Sequence, residues 1–460
     1  MNDIIIGRDH AKILFKVLKQ IKPTPKEEEE DRHFIEEFLR RLDEITPKNV
    51  EVQLAGSTAH GTNLRGDRDF DVFLLFPKSY SVKDLEILGL QWAKKAIGKG
   101  KWEIAYAEHP YLHGFLEGRE IDIVPAYKIT EISERATAVD RSPLHSAYLM
   151  KKLSESQKDD VRLLKKFLKA AGIYGAEGKI MGFSGYLCEL LIISHGDFLT
   201  LIDAAANSWR NPVFDIEYNQ PVDELRKKFP DAAMIFIDPV DSHRNVAAAV
   251  SKTSLSIFIH TARRFLENPS LRFFIPPTMK VDLKWMKKQI VMRDSAIYAI
   301  EFEKPKVVED ILWPQLYKFA AKISERAREQ DFSVFDTEVW EKDNKCIVLF
   351  EFEIFNLPRL KKVIGPPLWM KKEVEEFMKK HKVMEPIWFE KERILALGKR
   401  KFLSAKDFLI DVIKRPGPYG TPPDIEKIIK RRGAKLIEVN DIVKKYTEYL
   451  HGYLKKRNIP

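Results

Sequence analysis

The chain has 460 residues, of which 44% are hydrophobic, and a formal net charge of +10 with a pI of about 9.1. This length implies about two to four domains, and the hydrophobic share excludes a disordered chain. The basic excess favours a polyanionic partner, its plain alternative being a solvated lysine-rich surface. Only Cys188 and Cys346 are present, far apart. That excludes a disulfide framework and a cysteine-rich zinc site, and suits a reducing, cytoplasmic setting. No apolar run has the length of a membrane span, no basic-then-apolar leader follows Met1, and neither repeats nor low-complexity segments are seen.

The spacing predicts a first helix over about Arg8 to Ile21, ending before Pro23. Thr24-Pro25-Lys26-Glu27 reads as a capping box with proline at the first helical position. Phe34, Ile35, Phe38, Leu39, Leu42 and Ile45 then fall at helical spacing and give the second helix one apolar face. Its acidic opening, Glu27 to Asp31, is accounted for by the helix dipole.

Val50 to Leu54 alternates and reads as a strand. It leads into Gly56-Ser57, a turn that allows close backbone approach and supplies a hydroxyl, both suited to a phosphate. A short polar connection follows. A second strand opens with Asp69 and Asp71 and continues as the apolar run Val72 to Phe76. Strand residues two apart share a face, so both acids point the same way. Two acids at the threshold of a buried strand are costly unless a cation lies between them. Carboxylate oxygens together with substrate phosphates suit Mg²⁺. Ser81 to Ile97 reads as a helix over the sheet, and Trp102 to Ala107 and Glu120 to Val124 as further strands. Asp122 stands alone among Ile121, Ile123 and Val124. Such an acid is as readily a paired structural carboxylate as a metal ligand. Beside Asp69 and Asp71, a three-carboxylate cluster is the better reading.

Past Pro125 the pattern turns helical. Gln157 to Ala171 reads as a helix with Ser156 as cap and Gly172 as stop. Ser184 to Ser194, Phe198 to Asn207 and about Thr253 to Leu266 follow, with a short strand over Met234 to Ile237. Pro269, Pro276 and Pro277 mark a boundary. Beyond it come a helix from about Glu309 to Glu329 and a hairpin, Phe332 to Glu341 and Cys346 to Phe355, turning at Asp343-Asn344. A loop rich in proline and glycine, Pro416 to Pro423, precedes a final pair of helices. Basic clusters punctuate this half: Lys361-Lys362, Lys371-Lys372, Lys379-Lys380, Lys399-Arg400-Lys401, Lys430-Arg431-Arg432 and Lys455-Lys456-Arg457. Trp369, Trp388, Phe389, Phe402 and Tyr419 lie between them. Each cluster is ordinary surface by itself; as a series they fit a surface that tracks the backbone of a structured nucleic acid.

Gly56-Ser57, then Asp69-Phe70-Asp71 twelve residues after the serine, then Asp122, resemble the nucleotidyltransferase superfamily of the DNA polymerase beta type. The supporting stretches are Asp122-Ile123-Val124-Pro125-Ala126-Tyr127, Asp140-Arg141-Ser142-Pro143-Leu144-His145, Phe183-Ser184-Gly185-Tyr186, and Asp238-Pro239-Val240-Asp241 with Arg244-Asn245-Val246. With them the chain resembles the archaeal (class I) CCA-adding enzymes, the tRNA nucleotidyltransferases that build the 3′-terminal CCA.

That resemblance implies a multidomain α+β fold. A polymerase-beta-like head of mixed sheet and helices is expected over residues 1–140 and a helical neck over 141–270. An α/β body is expected from 271–320 with 405–460, and a tail over 321–404. The resemblance also implies Mg²⁺ on Asp69, Asp71 and Asp122, and nucleotide contacts from Ser57, His60, His145, Lys165, Tyr174 and Arg244. His60 stands where the family carries Arg or Lys, and a neutral imidazole holds phosphate less firmly; Arg65 or Arg68 could compensate. The implied partners are the acceptor end and elbow of tRNA, with CTP and ATP as substrates, in a homodimer.

In the implied reaction the RNA 3′-hydroxyl attacks the α-phosphorus and pyrophosphate leaves, with two metal ions on the carboxylates. Asp122 would help to take the proton and Lys165 would neutralise developing phosphate charge. Read singly, each residue has a plainer role. His145 could be an ordinary hydrogen-bonded histidine, Lys165 with Lys166 a solvated helix edge, Tyr174 core, Arg244 a partner of Asp241, and His243 surface. Two other functions stay open: a poly(A)-adding or small-molecule nucleotidyltransferase, and a non-catalytic tRNA-binding protein. A P-loop enzyme is disfavoured, since no Gly-x-x-x-x-Gly-Lys-Ser/Thr occurs.

Overall fold

The computed structural model describes residues 7–106, 110–137, 139–278, 280–382 and 386–456. They fall into two compact units, residues 7–278 and 280–456.

The first unit opens with α1 (Arg8–Ile21) and α2 (Pro25–Ile45), at the expected bounds. The capping box closes as the sequence requires: Glu27 N–H donates to Thr24 Oγ1 at 3.3 Å, and Thr24 N–H donates back to the Glu27 carboxylate at 2.7 Å. Five strands follow, β1 (Glu51–Ala55), β2 (Asp69–Phe76), β3 (Lys101–Tyr106), β4 (Pro110–Leu116) and β5 (Arg119–Tyr127), in the spatial order β1-β2-β5-β4-β3. Only β2 and β5 run parallel, so the sheet is mixed. Ala107, the expected end of the third strand, lies outside the described residues. β4 was not expected: its alternation is interrupted by Gly114 and carries His113 where an apolar residue would have signalled a strand. The polar connection after Gly56 is a short helix, α3 (Gly56–His60). α4 (Val82–Ile97), capped by Ser81, joins α2 on the sheet face formed by Phe70, Val72, Leu74, Phe76, Ile121 and Ile123. Strand alternation then leaves Asp69, Asp71 and Asp122 on the opposite face.

A second core in this unit is helical. It is built from α5 (Arg141–Lys152), α6 (Glu155–Ala171), α7 (Gly185–His195), α8 (Phe198–Asn207) and α10 (Lys252–Glu267), while α9 (Val222–Lys228) buries Leu225 in a small separate cluster against Ile235 and Ile237. A small sheet of β6 (Val213–Phe214), β7 (Ile235–Asp238) and β8 (Asp241–Asn245) sits beside them. The cap of α6 is Ser154, not the expected Ser156: Ser154 and Gln157 close the box two residues earlier. Gly172 ends the helix in the left-handed region, at φ 69°, which glycine adopts without strain. α1 belongs to this core and not to the head in which the sequence placed it. Leu14, Val17 and Ile21 bury their stripe there, and the His10 ring meets Phe265 edge-on at 5.5 Å. Phe167 is fully buried among Phe198, Phe258, Phe265, Phe273 and Phe274. Phe167→Ala is expected to cost about 3–5 kcal/mol, read as a lower denaturant midpoint at unchanged slope.

The second unit carries a four-stranded antiparallel sheet. β9 (Ala296–Glu303), β10 (Ser333–Lys342) and β11 (Lys345–Ile354) pair in the order β10-β11-β9, and β15 (Ala434–Glu438) closes the other edge. α12 (Glu309–Glu329), α14 (Ala405–Lys414) and α15 (Pro423–Arg432) pack on one face. α11 (Leu283–Arg293), α16 (Val439–Lys445) and α17 (Thr447–Lys455) pack on the other. A separate three-stranded sheet, β12 (Leu360–Pro367), β13 (Ile387–Glu390) and β14 (Arg393–Lys399), holds α13 (Lys371–His381). The hairpin turns at Asp343-Asn344 as expected, both at positive φ. Its strand β11 pairs with β9 from Lys345 opposite Glu303 to Phe352 opposite Ala296. The expected tail, 321–404, is therefore cut by this sheet: the apolar face of the hairpin completes the core over β9, and only β12–β14 with α13 stand on a sheet of their own. The final pair of helices is preceded by α15 and β15.

Candidate active site

The site starts from register. β1 places Ala55 opposite Asp71, and β5 places Asp122 opposite Asp71 and Glu120 opposite Asp69. Paired residues share a face, so four carboxylates gather on one side of the sheet. Between β1 and β2 the chain turns at Gly56, at φ +69°. A Cβ on Gly56 would lie 1.8 Å from Asp71 Oδ2, so the carboxylate occupies the space that the missing side chain leaves. Ser57 follows in the same turn, its carbonyl accepting from Thr62 N–H at 2.8 Å; Thr58 Oγ1 donates to the Asp69 carbonyl at 3.0 Å.

The cluster repels itself. Burial first, then Asp122 and Asp69, push the Asp71 carboxyl up to about 6, with His60 and Lys165 partly offsetting them. Burial, then Glu120 and Asp67, raise Asp69. Burial raises Asp122 too, opposed by His113, whose Nδ1 lies 2.6 Å from Asp122 Oδ1.

Across from the carboxylates lies a buried polar knot. Lys165 Nζ donates to the Thr62 carbonyl at 3.2 Å and to Thr62 Oγ1 at 3.1 Å. Thr62 Oγ1 donates to Glu189 Oε1 at 2.6 Å. His60 sits 3.1 Å from the same Glu189 oxygen through Nδ1 and 2.9 Å from Ser146 Oγ through Nε2. Both ring nitrogens of His60 are thus engaged inside the protein, and the imidazole is buried. This corrects the expectation of His60 as a phosphate contact: the side chain ties α3 to α5 and α7. Nor does either compensating arginine stand apart, since Arg65 pairs with Glu27 at 3.0 Å and Arg68 lies within 4 Å of Glu30 and Asp31. Lys165 is buried, not a solvated helix edge. The Tyr174 hydroxyl joins it at Gly185, where a Cβ would lie 3.1 Å from Tyr174 Oη and 3.9 Å from Lys165 Nζ.

A third cluster centres on Asp238. Its Oδ2 accepts from Arg244 Nη1 at 2.7 Å and lies 2.8 Å from His145 Nε2. Its Oδ1 accepts from the Tyr186 hydroxyl at 3.1 Å and from Val240 N–H at 3.1 Å. Arg244 therefore pairs with Asp238 and not with Asp241, which holds Arg135 at 3.3 Å and Arg141 at 3.1 Å. The His243 ring lies at the surface, 3.2 Å from Lys228 Nζ, and its backbone N–H donates to Asp241 Oδ1 at 3.1 Å.

Oxygen ligands that repel one another fit a hard divalent cation. Among the described residues no three His, Cys, Asp or Glu side chains close on one point as a cage. An arrangement of one or two carboxylates completed by substrate phosphate is the one Mg²⁺ commonly takes. Sequence reasoning missed three side chains and one packing contact here. Asp238 and Glu189 carry the signal that found Asp122, one acid in an apolar run; His113 stood in an unrecognised strand, and the packing of Asp71 on Gly56 left no signal.

Three family profiles match consecutive parts of the chain: "Nucleotidyltransferase domain" over residues 35–145, "tRNA nucleotidyltransferase, second domain" over 159–275 and "CCA-adding enzyme, C-terminal domain" over 293–433. The chain is 36% identical over 445 residues to the CCA-adding enzyme of Methanocaldococcus jannaschii, covering 93% of this chain and 95% of that one. It is 38% identical over 396 residues to that of Archaeoglobus fulgidus, covering 86% and 87%. Among solved structures, a Cid1 poly(U) polymerase aligns at 17% identity and TM-score 0.45, over 57% of this chain and 96% of that one.

Proposed function

This chain belongs to the CCA-adding enzyme family, and with that as premise we propose that it adds and repairs the 3′-terminal CCA of tRNA from CTP and ATP, releasing pyrophosphate. The observation that carries the chemistry is the register that sets Asp71 opposite Asp122 and Asp69 opposite Glu120 on one open sheet face. Asp69, Asp71 and Asp122 would hold Mg²⁺, which supplies charge stabilisation to the attacking and leaving oxygens. The RNA 3′-oxygen forms its bond to the α-phosphorus as the α–β phosphoanhydride breaks. Asp122, steadied by His113, takes the hydroxyl proton. Lys165 and Tyr174 face the triphosphate with Ser57, and Lys165 balances the charge that develops there. His145 and Arg244 hold the sugar and base. Homodimerisation, suggested by the family, is read from the mass of the purified protein in solution.

The second unit is the tRNA-binding part in this reading. Several of its basic clusters are internally neutralised: Lys361 pairs with Asp331 at 3.3 Å, Lys401 with Asp411 at 3.2 Å, and Lys362 with Glu390. Among the described residues no ion pair involves Lys371, Lys372, Lys379 or Lys380 of α13. Replacing these four by alanine is expected to weaken tRNA binding and flatten the log–log salt dependence by up to about 3. Filter binding across a salt series measures it.

The deciding experiment is incorporation into a tRNA lacking CCA, with Mg²⁺ and labelled CTP and ATP, separately and together, resolved to single nucleotides. Two additions with CTP alone and one terminal A with both nucleotides are expected. A long A-tail would move the protein to a poly(A)-type polymerase, and tight binding without incorporation to a tRNA-binding protein.

A further inference from the structure

Asp238 is fully buried, and every neighbour whose role is unambiguous donates to it: the Arg244 guanidinium, the Val240 N–H and the Tyr186 hydroxyl. Against the pull of burial, the His145 contact first and then the Arg244 guanidinium and the Val240 N–H hold its carboxyl well below the usual carboxylate range, and with Arg244 Nη1 donating to Oδ2 at 2.7 Å it is ionised and only accepts. The His145 nitrogen 2.8 Å away, Nε2, must then carry a hydrogen. Burial first, with Arg244 and Arg141 alongside, outweighs the pull of Asp238 and keeps the His145 imidazole toward its neutral form. A neutral ring with hydrogen on Nε2 presents Nδ1 as a bare acceptor. The ring's plane is fixed by its stack on Tyr186, with centroids 4.1 Å apart and planes at 25°, and its orientation by the Nε2 contact to Asp238. A triphosphate at neutral pH has no hydrogen to give such an acceptor; a ribose hydroxyl has.

We infer that Asp238 is a positioning residue that locks His145 in the Nε2–H tautomer, so that Nδ1 accepts from a ribose hydroxyl of the incoming nucleotide and makes the site selective for ribonucleotides. The inference rests on the reading of His145 as a nucleotide contact. The carboxylate does a second job at once, since Arg244 is held by the same Oδ2 atom, and sugar and base contacts are set by one anchor. Asp241 cannot substitute, being occupied by Arg135 and Arg141. In Asp238→Asn the amide can present N–H to Nε2, which moves the ring hydrogen to Nδ1 and turns the acceptor into a donor.

The test has two arms. Nitrogen-15 NMR of histidine-labelled full-length protein, with His145 assigned by the spectrum of His145→Gln, reads the tautomer directly. Hydrogen on Nε2 is expected; hydrogen on Nδ1, or a charged ring at pH 7.5, overturns the inference, and this arm needs no variant of Asp238 to fold. The other arm compares kcat/KM for CTP with its 2′-deoxy and 3′-deoxy analogues. Wild type is expected to disfavour at least one analogue, and Asp238→Asn to lower that preference at least about 10-fold, the worth of one hydrogen bond. Tyr186→Phe, which leaves Oδ2 untouched, should keep the preference within about 2-fold. Equal use of all three nucleotides by wild type, or equal losses for all three in Asp238→Asn, overturns it. Should the wild type incorporate no nucleotide while the NMR arm finds Nε2–H, it is the proposed function that has failed.

Discussion

Asp71→Ala is expected to lower CMP and AMP incorporation by at least about 10³-fold while leaving tRNA affinity and melting temperature intact. The loss follows from position. Asp71 lies between Asp69 and Asp122 in the sheet register, so its removal takes away the carboxylate that any shared cation would bridge. The stability side has a definite sign. Burial and the neighbouring carboxylates push the Asp71 carboxyl up to about 6 in the fold, from an ordinary value of 3.8. A raised carboxyl pKa means that ionised Asp71 disfavours the fold at neutral pH, by a shift worth about 2–3 kcal/mol. That penalty is fully present above pH 6 and fades as pH falls toward 3.8. Replacing the carboxylate by a methyl group relieves it, so the metal-free variant should melt at or above the wild type. Mg²⁺ should stabilise the wild type and shift the variant less. Single-turnover incorporation, filter binding and melting with and without Mg²⁺ read the three quantities. Wild-type turnover in Asp71→Ala would sink the metal assignment, and a collapsed melting temperature would show that the carboxylate serves the fold.

What the sequence disclosed was local, and what it hid was contact between distant segments. α1, α8 and α12 stand at their expected bounds because caps, prolines and apolar spacing are written within each helix. Asp69, Asp71 and Asp122 were legible for the same reason: acids stand out in apolar strands. The membership of α1 was not legible, because its stripe of Leu14, Val17 and Ile21 fits any apolar partner, and only the fold shows that Phe265 and α6 supply it. The sheet that divides the expected tail was hidden likewise, since β11 has an apolar face whatever strand lies beside it. His60 was misread because its surroundings come from α5 and α7, 86 and 129 residues away. Asp238 drew no role because its three side-chain partners belong to α5, α7 and β8, and a lone acid does not name its partners.

Gly56→Ala is expected to lower incorporation by at least about 10²-fold with little change in tRNA binding. Two separate costs meet at this residue. At φ +69° the backbone lies where an alanine is strained by about 1–2 kcal/mol. The added Cβ would also fall 1.8 Å from Asp71 Oδ2 and 2.8 Å from its Cγ, closer than any real contact, so the carboxylate must move. Asp71 cannot retreat along the strand, because β1 and β5 flank it in register at Ala55 and Asp122. It can only swing out of the face it shares with Asp69, and a displacement of about 1 Å at a catalytic group is enough for a loss of this size. The variant therefore keeps all three carboxylates and loses their arrangement. Raising Mg²⁺ should restore part of the activity of Gly56→Ala and none of that of Asp71→Ala. If Gly56→Ala turns over like the wild type, the contact between the glycine and Asp71 is not what places the carboxylate; if it unfolds, the backbone cost outweighs the steric one.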